Sequence, residues 1–129
     1  MTEADKKILY IEDNKDNRKL VTRVLQAAGF DVATVEDGMK GLVFVKENTP
    51  DLILIDLQLP ELDGYTVTKE LRKMPKLKDT PIIALTANVL KEDRDRSFAA
   101  GCNGFIHKPI DVDRLPEQLA TFLEKASHE

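Results

Sequence analysis

The stretch LILIDLQLPELDG, Leu52 to Gly64, is the clearest indication of the architecture. Its first half is a run of aliphatic residues without polar alternation, which is typical of a strand buried on both faces in a parallel sheet. The run ends at Asp56, and a loop that contains Pro60 follows it. Because a carboxylate is costly to place at the mouth of an apolar layer, Asp56 either caps a turn or is held there for chemistry.

Short apolar runs alternate with segments of helical periodicity along the rest of the chain. Five β-α units of this kind within 129 residues predict a parallel sheet with helices on both faces. The first, third and fourth runs are the most apolar and should be central. This favours an α/β, flavodoxin-like, doubly wound (βα)5 sandwich with strand order 2-1-3-4-5. Besides the run that ends at Asp56, the predicted strands lie in KILYI (Lys7–Ile11), FDVATV (30–35), TPIIALTA (80–87) and GFIHKP (104–109).

The composition is that of an ordinary globular domain, with 42% hydrophobic and 33% charged residues. The net charge of −4 argues against a nucleic-acid-binding surface as the main function. No apolar run approaches the ~20 residues that cross a bilayer, and the start MTEADKKILYI lacks the features of a signal peptide. We therefore expect a cytoplasmic protein with no membrane and no nucleic-acid partner.

The single cysteine, Cys102, excludes an internal disulfide and fits a reducing compartment. It directly follows Gly101, and this loop context favours a passive small residue over a reactive thiol. With one cysteine and only two histidines, a zinc-type cluster is not expected.

Polar side chains follow four of the five predicted strands where each strand ends. Strand 1 ends in Glu12 and Asp13, strand 3 in Asp56, strand 4 in Thr86 and strand 5 in Lys108. In open α/β sheets the carboxyl ends of the strands share one rim, and sites form there. We therefore expect these side chains to lie at one site.

The chemistry of these residue types points to phosphoryl transfer. Three carboxylates in one place repel one another, and a hard cation such as Mg²⁺ relieves the repulsion. The Lys108 ammonium and the Thr86 hydroxyl are donors for phosphoryl oxygens, and Asp56 is the expected nucleophile because carboxylates form aspartyl-phosphates. Taken singly, each residue also has a structural explanation, as a turn residue, a helix cap or a solvated strand end. Their joint occurrence at strand ends favours the chemical interpretation.

The sequence resembles the response-regulator receiver domains of bacterial two-component signalling over about Lys7 to Leu123. The segments that carry the resemblance are ILYIEDN, DLILIDLQLPELDGYTVTKELR, PIIALTA and GFIHKPI. The resemblance implies a stand-alone, CheY-like receiver that fills residues 1–129, with a core of about residues 7–123 and no output domain. It implies Mg²⁺ as cofactor and a protein that is not an enzyme beyond catalysing its own phosphorylation and dephosphorylation.

The resemblance also assigns roles around the metal and names the partners. It implies that Asp56 is the phosphoacceptor, that Asp13 binds the metal directly, and that Glu12 acts on it largely through water. The main-chain carbonyl of Gln58 would complete the protein ligands. The phosphodonor would be a histidine kinase or a histidine phosphotransfer protein, and the output would be binding to a downstream target protein. The implied oligomeric state is a monomer or a weak phosphorylation-dependent dimer.

A switch is implied as well. Thr86 would move toward the new phosphoryl oxygens, which Lys108 also contacts, and Phe105 would turn into the space that Thr86 leaves. The surface that changes would be formed by helix 4, strand 5 and helix 5, about Asn88 to Phe122. The Lys108-Pro109 bond is commonly cis in this family. Two positions depart from the family's common pattern: Glu12 lengthens the reach of the first acid, and Phe105 lacks the hydroxyl of a tyrosine.

Other functions on this architecture remain as alternatives. A phosphohydrolase would also use a strand-end aspartate, but its second acid would fall at Gln58. A flavin-binding module needs a phosphate-binding loop after strand 1, where this chain has the acidic EDNKDN. A pseudo-receiver would keep the fold without phosphorylation, and the receiver would alternatively serve as a phosphorelay intermediate or be excised from a hybrid histidine kinase.

Overall fold

The computed structural model describes residues 6–87 and 90–127, in which strands and helices alternate along the chain. The strands are β1 (Lys7–Ile11), β2 (Asp31–Val35), β3 (Leu52–Asp56), β4 (Ile82–Thr86) and β5 (Gly104–His107). The helices are α1 (Lys15–Ala27), α2 (Gly38–Glu47), α3 (Gly64–Arg72), α4 (Lys91–Ala100) and α5 (Leu115–Ser127), with a 3₁₀ turn at Pro75–Leu77. Within these described ranges, no helix combines the length and the apolar character that crossing a bilayer requires.

The strands form one parallel sheet in the order β2-β1-β3-β4-β5, which confirms the predicted flavodoxin-like arrangement. β3 lies between β1 and β4, so both of its neighbours bring their carboxyl ends to the same edge as Asp56. Three pairs of neighbouring residues define the register at this edge: Ile11–Ile55, Asp56–Leu85 and Thr86–His107.

Both faces of the sheet are covered, which explains why β3 shows no polar alternation. Every residue of β3 and of β4 is buried, whereas the edge strand β2 is partly exposed. Alternate residues along each central strand enter two separate apolar layers. One layer contains Ile8, Tyr10, Leu52, Leu54, Ile83 and Leu85 with residues of α1 and α5, and the other contains Leu9, Ile11, Ile53, Ile55, Ile82 and Ala84 with residues of α2 and α3.

Side-chain caps set the beginnings of the first three helices. The Asn14, Asp37 and Asp63 side chains each accept a hydrogen bond from a main-chain N–H three residues on, at the start of α1, α2 and α3 respectively. Each cap fixes the point at which the chain leaves the site-bearing edge of the sheet.

The glycines of α2 serve close packing, which the sequence interpretation did not foresee. By helix propensity alone, Gly38 and Gly41 weaken the helix. A Cβ added at Gly38 would lie 2.3 Å from Val67 Cγ2, and one added at Gly41 would lie 2.6 Å from Ile11 Cδ1. Absence of a side chain at these positions therefore lets α2 approach α3 and β1.

Helix α4 differs from the others because it lacks a continuous apolar face. Only Ser97 and Ala100 are buried on it, and its Phe98 is 48% exposed. The helix ends at Gly101, whose φ of 118° lies in the left-handed region that favours glycine. α4 therefore packs on the domain mainly through side chains at the edges of the helix.

The passive role predicted for Cys102 is borne out by its surroundings. The side chain is 6% exposed and belongs to the apolar layer on the α2–α3 side of the sheet. Burial raises the pKa of the thiol to about 11, so little thiolate exists at neutral pH.

We predict that a thiol reagent at about pH 8 labels Cys102 at least ~100-fold more slowly in the native protein than in the denatured protein. The raised pKa lowers the thiolate fraction by roughly that factor, and burial adds a steric barrier. Absorbance of the released thiol chromophore measures the rate, with the urea-denatured chain as the reference. Complete labelling of native protein at the rate of the denatured protein would contradict this assignment.

Candidate functional site

Three carboxylates meet at the carboxyl ends of β1 and β3. Asp56 is the last residue of β3, and Glu12 and Asp13 directly follow β1. Each side chain offers an oxygen, and these oxygens all lie within 4.8 Å of one another. Glu12 and Asp56 are 1% and 3% exposed, while Asp13 is exposed to solvent. We call these three residues the acidic cluster; the structure brings them together, as the strand ends predict.

Both carboxylate oxygens of Asp56 accept hydrogen bonds. The Gln58 main-chain N–H donates to Oδ1 over 2.8 Å, and Lys108 Nζ lies 2.5 Å from Oδ2. Lys108 directly follows β5, and its own main-chain N–H donates to the Thr86 carbonyl over 2.8 Å. The ammonium therefore reaches Asp56 across the end of β4, and its positive charge offsets the cost of burying the aspartate.

Glu12 is held at both oxygens as well. The Tyr10 hydroxyl donates to Oε1 over 3.0 Å, and the Asn14 main-chain N–H donates to Oε2 over 3.1 Å. Burial raises the pKa of Glu12 to about 7, and the negative charge of Asp56 acts in the same direction. Burial and the neighbouring Glu12 carboxylate also raise the pKa of Tyr10, so its hydroxyl keeps the proton that it donates.

Arg18 braces the loop that carries the acidic cluster, and the sequence interpretation missed it. Its Nη1 donates to the main-chain carbonyl of Glu12 over 2.8 Å and to that of Asp13 over 2.9 Å. The guanidinium thus binds the main chain and leaves the carboxylates available. Arg18 lies in the first turns of α1, but no local sequence pattern specifies the path of its long side chain.

The donor set suits a hard divalent cation. Within the residues that the structure describes, the acidic cluster is the group of carboxylate, imidazole and thiol side chains close enough to hold an ion. Carboxylate oxygens are the ligands that Mg²⁺ accepts. Gln58 is exposed, and its main-chain N–H donates to Asp56. The role of its main-chain carbonyl as a metal ligand stays a prediction.

Thr86 and Phe105 lie on the Lys108 side of the site. Thr86 is the last residue of β4, is 3% exposed, and is one residue past the neighbour of Asp56 in the sheet. The Phe105 ring is half-buried and meets the Phe98 ring edge-on, with centroids 6.4 Å apart. The Arg94 guanidinium lies 5.8 Å from the centre of the Phe105 ring. Asn88, where the predicted switch surface begins, lies outside the described residues.

A cleft of about 470 Å³ opens beside the acidic cluster, between α1 and the loop after β5. Polar atoms of Glu12 and Lys108 border it, and its walls are mostly apolar. The Lys108-Pro109 peptide bond in this wall is cis, as the resemblance implies. The remaining lining residues are Asn17, Leu20, Val21, Ala87, Pro109 and Ile110.

Comparisons with known proteins agree with this geometry. The family model described as response regulator receiver domain matches residues 8–120. The polar-differentiation response regulator DivK of Brucella anthropi is 39% identical over 94% of this chain and 98% of its own length.

Two solved structures are similar in fold as well as in sequence. Chemotaxis response regulator CheY4 of Vibrio cholerae has a TM-score of 0.88 and 29% identity, covering 92% of this chain and 99% of its own. The receiver domain of sensor histidine kinase PA1611 from Pseudomonas aeruginosa has a TM-score of 0.85 and 36% identity, covering 94% and 99%. That structure has a magnesium ion coordinated in its active site cleft. The chain therefore belongs to the response regulator receiver domain family and has a phosphoacceptor role in two-component signalling.

Proposed function

We propose that Asp56 is the residue that accepts the phosphoryl group, in a Mg²⁺-dependent reaction with a phosphohistidine donor. The observation that carries this proposal is the ion pair between the buried Asp56 carboxylate and the half-buried Lys108 ammonium, with Nζ and Oδ2 2.5 Å apart beside two further carboxylates. A lysine so placed neutralises the nucleophile before transfer and remains within reach of the oxygens that transfer adds.

The metal proposed for this site is Mg²⁺. We assign Asp13 and Asp56 as direct ligands together with the main-chain carbonyl of Gln58, and Glu12 as a residue that acts through water. A bound Mg²⁺ supplies positive charge to the carboxylates and to the phosphoryl oxygens. The all-oxygen donor set supports this assignment, as does the magnesium-bound receiver of PA1611 at 36% identity.

The residues of this chain have separate tasks in the transfer. A carboxylate oxygen of Asp56 forms the new O–P bond while the P–N bond of the donor breaks, and the donor imidazole nitrogen keeps the electron pair. The Lys108 ammonium pairs with the Asp56 carboxylate before transfer and with a phosphoryl oxygen after it. The Thr86 hydroxyl donates to another of these oxygens. The Gln58 N–H holds the aspartate in orientation throughout.

The donor in this proposal is a histidine kinase or a histidine phosphotransfer protein, and the chain acts in the cytoplasm where such donors carry phosphoryl groups. The protein catalyses only its own phosphorylation and dephosphorylation. Movement of Thr86 and Phe105 then changes the surface of α4, β5 and α5, which binds a downstream target protein. The contacts of Phe105 with α4 support this route, because the ring touches Phe98 and Arg94. Binding occurs as a monomer or as a weak phosphorylation-dependent dimer.

The first prediction concerns the phosphoacceptor. Incubation with Mg²⁺ and a small acyl phosphate or phosphoramidate is expected to add one phosphoryl group, because Asp56 alone combines the nucleophile position with the Lys108 contact. Intact-mass analysis measures the adduct. Asp56→Asn and removal of Mg²⁺ with a chelator are both expected to abolish it.

Asp51 provides a matched control for this experiment. It lies just before β3, at the other end from Asp56, and its Oδ2 accepts a hydrogen bond from the Lys7 main-chain N–H over 2.7 Å. Asp51→Asn is therefore expected to keep the adduct. An adduct that persists in Asp56→Asn would move the phosphoacceptor to another residue.

The ammonium at position 108 is predicted to accelerate transfer. Lys108→Met removes the donor that stabilises charge on the phosphoryl oxygens, and loss of one such donor costs roughly 10²–10³-fold in rate. The rate of adduct formation from a small donor at saturating Mg²⁺ measures the effect. Lys73→Met is the control, because Lys73 pairs with Glu70 on the exposed surface of α3. Equal rates for the two variants would disprove the role of Lys108.

The raised pKa of Glu12 predicts that the metal-free protein loses stability as the pH rises. Glu12 has a pKa of about 7 in the fold, against ~4.3 for an unfolded glutamate, so the folded state holds the proton more tightly. This stabilisation is full below about pH 4 and is lost as the pH rises through about 7, by roughly 3–4 kcal/mol.

Urea unfolding of metal-free wild type and Glu12→Gln between about pH 4.5 and about pH 8.5 isolates this contribution. The free energy of unfolding of the wild type is expected to fall relative to that of Glu12→Gln over this interval. Saturating Mg²⁺ should recover the loss, because the cation favours the ionised carboxylate. A difference between the two proteins that stays constant with pH would refute the assignment.

A further inference from the structure

Tyr10 is a polar side chain inside an otherwise apolar layer. It is fully buried among residues of β1, β3, α1 and α5. A buried hydroxyl is costly unless it finds a partner, and the Tyr10 hydroxyl finds one in Glu12 Oε1, 3.0 Å away. Positions 10 and 12 are two residues apart on an extended segment, so their side chains leave the chain on the same side. The hydroxyl thus approaches the acidic cluster from the core.

This hydrogen bond completes the restraint on Glu12. Oε2 accepts from the Asn14 main-chain N–H, which the turn into α1 fixes in place. With Oε1 held by Tyr10, the carboxylate has one donor on each oxygen and a single orientation beside Asp13 and Asp56. Loss of the hydroxyl would leave Oε1 without this donor in a site where Glu12 is 1% exposed.

The contact also depends on the length of the glutamate. An aspartate at position 12 would be shorter by one methylene, about 1.5 Å of reach. From a starting distance of 3.0 Å, that change takes the carboxylate oxygen beyond hydrogen-bonding range of the Tyr10 hydroxyl. The hydrogen bond from Tyr10 therefore requires the longer side chain of glutamate at position 12.

We infer that Tyr10 is a positioning residue of the metal site: its hydroxyl orients the Glu12 carboxylate and thereby sets the affinity of the acidic cluster for Mg²⁺. The inference rests on the proposed function, in which Glu12 acts on the bound cation. A residue of the hydrophobic core would thus influence the affinity of the acidic cluster for Mg²⁺. Residues that orient metal ligands in this way typically contribute 10–100-fold to metal affinity.

Tyr10→Phe tests the inference because it removes the hydroxyl and keeps the ring in the core. Isothermal titration with MgCl₂ is expected to show a Kd about tenfold higher than that of the wild type. Tyr65→Phe is the matched control, since Tyr65 is the other tyrosine of the chain and its ring, on α3, packs against Arg96 of α4. Its Kd should equal that of the wild type. Urea unfolding without Mg²⁺ shows that each variant is folded.

A double-mutant cycle separates positioning from a general effect on the fold. In the Glu12→Asp background the hydrogen bond is already broken, so adding Tyr10→Phe should change the Kd by less than about twofold. A merely structural role of Tyr10 would weaken Mg²⁺ binding equally in both backgrounds, and that result would overturn the inference. So would a Tyr10→Phe protein that binds Mg²⁺ as tightly as the wild type.

A second measurement leaves Tyr10 itself unchanged. In the wild type, the buried and hydrogen-bonded Tyr10 hydroxyl proton should exchange slowly and give its own NMR resonance. In Glu12→Asp this resonance should shift or broaden as the bond is lost, and an unaltered resonance would disprove the contact. Wild-type protein that fails to bind Mg²⁺ at all would instead refute the proposed metal site and the inference with it, whereas normal wild-type binding with an unaffected Tyr10→Phe refutes the inference alone.

Discussion

The surrounding structure stabilises the buried negative charge at the ends of β1 and β3. Glu12 and Asp56 are almost completely buried, and their oxygens lie with those of Asp13 within 4.8 Å. Such a group would be strongly destabilising without compensation. The domain offsets it by four donors from different elements: the Lys108 ammonium, the Tyr10 hydroxyl and the main-chain N–H groups of Gln58 and Asn14. Even so, burial still raises the pKa of Glu12, so the cluster lacks positive charge of the kind that a divalent cation supplies.

The parallel sheet makes this convergence possible. Because β1 and β4 both pair with β3, the residues that follow them lie on either side of Asp56. Helices α1, α2 and α3 then leave the same edge, each from a capped start, which restrains the chain between strand and helix. Arg18 adds a tie from α1 to the main chain of Glu12 and Asp13. Strands therefore hold the site on one side and helix beginnings hold it on the other. A mostly apolar cleft opens beside it.

Much of this arrangement follows from the sequence, for identifiable reasons. Buried parallel strands are continuous apolar runs, so their ends can be located, and the strand order then assembles Glu12, Asp13, Asp56, Thr86 and Lys108 at one edge. What could not be predicted depends on distances between side chains. In the sequence, Tyr10 is one more hydrophobic residue of β1, and only the structure places its hydroxyl beside Glu12. Arg18 has a long side chain whose path over the α1 surface no local pattern specifies. The packing role of the α2 glycines could not be predicted either, because their close neighbours come from other elements.

The energetics of α4 bear on how a change at Asp56 would reach the surface. This helix buries little apolar area, and its border contacts are the Phe98–Phe105 ring pair, Arg94 over Phe105 and Arg96 at 3.9 Å over Tyr65. An aromatic pair contributes ~0.5–1.5 kcal/mol and an exposed cation–π contact ~0.5–1 kcal/mol. Two of these three contacts share the Phe105 ring, so a turn of that ring would alter them together. Their sum is comparable to the ~1–3 kcal/mol by which coupled sites influence each other. With phenylalanine at this position no hydroxyl adds to the balance, so the contacts that a turn of the ring would change are those with Phe98 and Arg94.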